Sequence, residues 1–292
     1  MKPRDLFDFV LLAALWGASF LFIRVGAPEF GPITLIGLRV LIAAICLWPL
    51  LWLMQRNSTN VMRSHAMPLA VVGVTNSALP FCLLAFASLS LTAGFTSLIN
   101  ASVPLWAALI GLVWLRASMN GAQWFGLALG VVGMVILTWG KVDFKPGGSG
   151  VAILAGLIAT CSYGFSTHYA KRRLTAVPPL GVATGSQTAA AIVLLPLTAW
   201  FWPQANPSVG AWVSLILLGT FSTALAYILY FRLIAGLGGQ KASTVTFLIP
   251  VFASLWGWVF LGETVTRTML VGGSVVLLGT ALTLGLLGKR SR

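Results

Sequence analysis

Charge is what this 292-residue sequence has least of: 18 Lys and Arg and only 5 Asp and Glu, together 8% of the chain, against roughly 25% in a soluble domain. With 58% hydrophobic residues, it holds more apolar side chain than a soluble core of this size encloses, which excludes an ordinary water-soluble enzyme. The five acids, Asp5, Asp8, Glu29, Asp143 and Glu263, include none at the centre of an apolar run, and His65 and His168 are the two histidines. Paired carboxylates, a nucleophile with its base and a metal cluster are all missing, which argues against a membrane enzyme acting on lipid or prenyl substrates. Cys46, Cys82 and Cys161 lie inside apolar runs without metal-ligand spacing and are expected as buried free thiols; no metal and no cofactor is implied. The net charge of +13 does not point to nucleic acid, because the basic residues form no continuous stripe.

What the sequence does have is long uncharged runs. A membrane helix needs about 20 apolar residues. No Lys, Arg, Asp or Glu occurs in the 52 positions between Arg63 and Arg116, or in the 58 between Arg173 and Arg232. Each run is read as two helices, turning near 88–92 and 203–207. Single helices fill the gaps 116–141, 145–171, 241–263 and 267–289, and two more occupy 6–27 and 33–54. The expected fold is an all-α integral membrane protein of ten transmembrane helices. The first run is longer than a signal-peptide core and lacks a small-x-small cleavage site, so it is read as a retained helix. Thirteen basic residues, Arg56, Lys289, Arg290 and Arg292 among them, fall on the side of the N-terminus, against Arg24, Lys141, Lys145 and Arg267 on the other. This bias predicts that both termini are cytoplasmic.

The chain also repeats itself. At an offset of 147, Trp16, Gly17, Ser19, Arg24 and Pro32 superpose on Tyr163, Gly164, Ser166, Lys171 and Pro179. At 146, Gly73, Ala78, Leu79 and Phe81 meet Gly219, Ala224, Leu225 and Tyr227, and Ser97, Pro104, Gly126 and Gly133 meet Ser243, Pro250, Gly272 and Gly279. The second and seventh helices align poorly. Residues 1–145 and 146–292 are thus expected as two five-helix repeats, and an odd helix number inserts them in opposite directions. Inverted repeats are the architecture of alternating-access transporters, with the substrate site between the halves. A passive channel would need charged rings or symmetric subunits for its filter, and neither is visible.

Trp16-Gly17-Ala18-Ser19-Phe20, Leu38-Arg39 and Leu261-Gly262-Glu263-Thr264 resemble the EamA-type domains of the drug/metabolite transporter (DMT) superfamily, over essentially the whole chain as two tandem units. The first unit departs from the pattern, with Leu115-Arg116-Ala117-Ser118 in place of the usual Gly-Glu pair. The resemblance implies a bacterial inner-membrane exporter of amino acids or other metabolites, most similar to the broad-range exporters that handle aromatic amino acids. Nucleobases, sugar derivatives and drugs remain alternative substrates.

Proline suggests where substrate is held. Each interior Pro deprives the carbonyl four residues earlier of its donor: Pro80 that of Asn76, Pro104 that of Asn100, Pro250 that of Thr246. Irregular backbone in lipid is tolerated where it is packed or lines a cavity. The third, fourth and ninth helices are therefore expected to line one, unless each polar side chain merely satisfies its own kinked helix. The symmetry pairs Trp16 and Tyr163, Ser19 and Ser166, Phe81 and Tyr227 are expected to complete a wall suited to apolar or zwitterionic small molecules. Arg39, inside the second helix, either attracts a substrate carboxylate, snorkels outward or bonds a freed carbonyl. His168 is weighed as a proton relay and disfavoured, and Glu263 is read as a turn or cap. The lack of an intramembrane acid predicts a facilitator rather than a proton/cation antiporter. The glycines at 126, 130, 133, 272, 273 and 279 are expected to pack within one chain, with a homodimer as the alternative.

Overall fold

The computed structural model describes residues 2–55, 58–145 and 148–286; Arg56, Lys289, Arg290 and Arg292 lie outside the described residues. Ten helical spans follow one another: α1 (Pro3–Phe30), α2 (Pro32–Gln55), α3 (Ala66–Ala87), α4 (Ala93–Leu115), α5 (Gly121–Thr138), α6 (Gly150–Arg173), α7 (Pro179–Trp200), α8 (Val209–Leu237), α9 (Lys241–Leu261) and α10 (Arg267–Thr283). Nine are long and apolar enough to cross a bilayer, and α10 is a shorter apolar helix. A short helix, Ser58–Ser64, which the charge gaps do not reveal, links α2 to α3. No strand occurs among the described residues.

Local chemistry sets the boundaries. Gly31, at φ 75°, breaks the chain between α1 and α2, a conformation that glycine adopts without steric cost. Asn120 opens α5 with a capping box, its Oδ1 accepting from Gln123 N at 2.9 Å while Gln123 Oε1 accepts from Asn120 N at 3.0 Å. Such reciprocal bonds satisfy two of the first-turn amides that a helix leaves unpaired. Thr266, 146 positions later, caps α10 with a single bond, its Oγ1 accepting from Met269 N at 3.3 Å.

The packing follows the repeat. α5 lies along α10, α2 along α7, α1 against α8 and α9, and α6 against α3 and α4. Each half's first helix therefore packs on the third and fourth helices of the other half, which is the arrangement of two inverted five-helix repeats. Glycine permits these contacts: a Cβ on Gly17 of α1 would stand 2.6 Å from Phe252 Cβ on α9, and one on Gly164 of α6 would stand 2.8 Å from Ala107 N on α4. The α5–α10 seam is also intramolecular, with Gly133 closing on Val276. Cys82 and Cys161 are partly buried free thiols, whereas Cys46 is exposed on the outer surface of α2, contrary to the expectation for all three. An apolar run supplies no inward face of its own when lipid surrounds it.

Among the described residues, helix regularity fails at four places. α3 passes through a π segment at Val74–Ala78 and α8 through one at Thr220–Leu225. α4 is interrupted between Asn100 and Val103, and α9 runs through a 3₁₀ turn at Thr244–Phe247 before restarting at Ile249. Pro104 and Pro250 occupy the first turn of the restarted halves, where a missing N–H costs nothing. Pro80 acts differently from expectation. Leu79 N bonds Val74 O, five residues back, so in π register the carbonyl deprived by Pro80 is that of Thr75, and Ser162 Oγ of α6 donates to it at 2.7 Å.

Candidate functional site

The four irregular helices converge with α1, α2, α6 and α10 on one cavity of about 320 Å³, within the size range of small-molecule sites. α1 contributes Trp16, Ser19 and Phe20; α3 contributes Asn76 and Phe81; α4 contributes Ser97, Asn100 and Pro104; α6 contributes Tyr163 and Thr167. Tyr227 and Tyr230 enter from α8, Thr246 and Phe247 from α9, and Thr280 from α10. Eight of the nine side chains expected from the sequence thus come together. Ser166 does not: α6 turns Tyr163 and Thr167, one helical turn apart, towards the cavity, and Ser166 falls beside that stripe, buried with no partner for its hydroxyl. Pro80 and Pro250 shape the wall without facing it.

The apolar part of the wall is aromatic. Trp16 packs on Tyr230 with ring centroids 5.3 Å apart, and Phe81 on Tyr163 at 6.2 Å. The polar part is sparse. Ser19 Oγ is committed to Trp16 O at 2.6 Å, and Thr246 Oγ1 to Ser243 O at 2.9 Å. Asn100 Oδ1, by contrast, is buried without a hydrogen-bond partner, an arrangement that costs free energy unless a bound group completes it. The Ala101 carbonyl at the break accepts from Thr280 Oγ1 at 3.3 Å.

Arg39 neither snorkels nor bonds a freed carbonyl. It is 5% exposed, lines the cavity, donates from Nε to Thr223 Oγ1 at 3.0 Å and lies 3.8 Å above the Phe81 ring. Gln187 of α7, fully buried, has a comparable place in the other half, donating from Nε2 to Ser77 Oγ at 2.9 Å and to Tyr227 Oη at 3.4 Å. Sequence reasoning missed Gln187, Tyr230 and Thr280. Gln187 becomes visible only when α2 and α7 are aligned with an offset of 148 rather than 147. His168 Nε2 lies 2.7 Å from Ala107 O, tying α6 to α4 outside the cavity.

Glu263 clasps one end of the bundle. Its Oε2 accepts from Ala93 N, the first residue of α4, at 2.9 Å, and its Oε1 lies 3.5 Å from Arg24 Nε. Arg24 Nη1 in turn donates to the carbonyls of Ser88, at 2.5 Å, and Leu89, at 3.0 Å. Burial pushes the Glu263 carboxyl above the usual carboxylate range, while the Ala93 N–H and Arg24 oppose the rise. Glu263→Ala, which removes a helix-end acceptor, is expected to cost about 1–2 kcal/mol, read as a lower thermal unfolding temperature in detergent. Glu263→Gln should cost less, because an amide oxygen still accepts from Ala93 with no charge to desolvate. Equal losses would mean that the ionic contact with Arg24, rather than the cap, holds the clasp.

Comparison with known proteins agrees with this architecture. The chain is 27% identical to a protein of Streptantibioticus cattleyicolor named "Probable terminal-alkyne amino-acid exporter", over 96% of this chain and 93% of that one. It is also 27% identical to the "S-adenosylmethionine/S-adenosylhomocysteine transporter" of Chlamydia muridarum, over 97% and 92%. Identity is 26% to the "Uncharacterized inner membrane transporter YedA" of Escherichia coli K12, over 94% and 89%. One crystal structure, 17% identical in sequence, superposes on 99% of this chain and 100% of its own with a TM-score of 0.67, which supports the fold. The EamA-like transporter family matches twice, at residues 6–139 and 150–285. Those two segments take in nearly all of both five-helix repeats, and the chain belongs to the EamA-like transporter family.

Proposed function

We propose that this protein exports small zwitterionic or neutral metabolites, amino acids and aromatic ones among them, across a bacterial inner membrane with both termini in the cytoplasm. The observation that carries this reading is a cavity built from both halves by symmetry-related residues: Trp16 with Tyr163, Phe81 with Tyr227, and Asn100 with Thr246. Rings hold the apolar part of a solute and the amides its polar part. The two halves, residues 1–145 and 146–292, rock against each other and expose the site alternately to each face. Among the described residues no Asp or Glu lines the cavity, which supports facilitated exchange rather than proton-driven efflux. The α5–α10 seam, filled within one chain, supports a monomer. The relative named as an amino-acid exporter supports the substrate class, at a distance of 27% identity.

Reconstitution into proteoliposomes tests this directly. Labelled phenylalanine or threonine should enter by saturable counterflow against unlabelled amino acid, and an ionophore that collapses the pH gradient should leave the exchange rate unchanged. Unsaturable flux would identify a channel, and strict dependence on the pH gradient would identify an antiporter. Competition by a panel of unlabelled nucleobases and sugar derivatives ranks the remaining solutes.

A further inference from the structure

Among the described residues, the only charged side chain in the wall of the cavity is Arg39. Its guanidinium is fixed on one edge and one face. Thr223 gives its own hydroxyl proton to Leu218 O at 2.8 Å, so its oxygen is left to accept from Arg39 Nε, and Phe81 covers the plane. No described carboxylate pairs with it, and no described protein group accepts from its two Nη atoms. An unpaired cation this deeply buried is costly in a membrane protein.

Holding the π segment does not account for the charge. Arg39 with Thr223 and Phe81, and Gln187 with Ser77 and Tyr227, are related by the repeat: Thr223 and Tyr227 follow Ser77 and Phe81 by 146 positions, and Gln187 follows Arg39 by 148. In the second half a neutral amide makes both contacts, bonding the hydroxyl of the π segment and touching the aromatic residue beyond it. The fold can therefore make this junction without a cation. What Arg39 adds to it is a positive charge and a planar pair of N–H donors, the geometry that matches a carboxylate through two parallel hydrogen bonds.

We propose that Arg39 is the carboxylate-recognition residue of the cavity, so that the solutes carried are small amphipathic carboxylates. Their apolar part lies on the Trp16 and Tyr230 rings. When the solute is an amino acid, its ammonium donates to the unpartnered Asn100 Oδ1. The proposal rests on the transport reading above and narrows it. Cationic amines without an acid group are rejected, since the cavity offers them a like charge and no counter-ion.

The test begins with the unaltered protein. Purified in detergent, it is titrated with L-phenylalanine, L-phenylalaninamide, 3-phenylpropionate and 3-phenylpropionamide, with tryptophan fluorescence and thermal unfolding as readouts. The expected result is that at least one acid binds, and binds about 30-fold or more tightly than its own amide. That ratio equals about 2 kcal/mol at 1.4 kcal/mol per tenfold, the lower end of what loss of one partner from a buried charge pair costs. An amide that matches its acid, or no binding by either acid, overturns the proposal. Arg39→Gln installs the neutral arrangement already present at Gln187 and should abolish the preference for acid over amide; a preference that survives also overturns the proposal. The two readings fail separately. If 3-phenylpropionate binds through Arg39 while phenylalanine neither binds nor exchanges, the amino-acid assignment falls and Arg39 stands. If phenylalanine exchanges but its amide binds equally well, transport stands and Arg39 falls.

Discussion

Replacing Gly17 with valine should separate the two halves at a close crossing and cost several kcal/mol of stability. A Cβ at this position would sit 2.6 Å from Phe252 Cβ and 2.9 Å from Ala253 N, and the backbone atom cannot move aside as a side-chain tip can. Overpacking of a close-packed interior ordinarily costs about 1–3 kcal/mol and more where backbone must shift. Gly17→Ala should show a smaller loss of the same kind, and Gly164→Val, at the related crossing of α6 on α4, one of similar size. Gly121→Ala is the control, since an added Cβ there meets nothing within 4 Å. Thermal unfolding and gel filtration in detergent measure the series. If Gly17→Val unfolds at the temperature of the control, α1 and α9 do not meet as described.

The second large effect is expected in transport with the fold left intact. Asn100→Ala removes an amide oxygen that no protein group bonds, so folding loses no hydrogen bond. If that oxygen serves the solute, counterflow kcat/KM should fall at least about tenfold, the equivalent of 1.4 kcal/mol, while the unfolding temperature stays near that of the unaltered protein. Asn76→Ala should lower the same parameter, because Asn76 lies on the same wall within the π segment of α3. Unchanged affinity and rate in both variants would remove these amides from the site.

The span count was legible because lipid forbids charge, so 23 charged residues mark helix ends with little ambiguity. The repeat was legible because close crossings admit only glycine and helix restarts favour proline, and both leave a periodic mark. The π segment of α8 was not. Thr220–Leu225 contains no proline, so no missing donor marks it; the segment meets α2, where Arg39 bonds Thr223. The register at Pro80 was misjudged for the same reason, since a rule of four residues fails where the helix bonds over five. Nor could Arg39 be placed by its depth along the helix alone; facing inward depends on rotation about the axis, which a uniformly apolar helix does not reveal. Ser166 failed on the same point.

The two ends of the bundle are held by unlike bonds. One has Glu263 on Ala93 N and Arg24; the other has Asp8 paired with Arg232 at 2.9 Å. Ala117 stands where the repeat would place a second Glu263. Its N bonds Gly111 O at 3.1 Å just as Glu263 N bonds Gly257 O, but its methyl group can clasp nothing. In the facilitative, alternating-access cycle proposed above, the conformers obtained by exchanging the roles of the halves therefore differ in free energy, and the carrier rests unequally between them. A solute then half-saturates the protein at different concentrations on the two sides of the membrane. Detailed balance compensates the difference in the opposing turnover rates, so kinetic lopsidedness arises without any energy source and without net pumping.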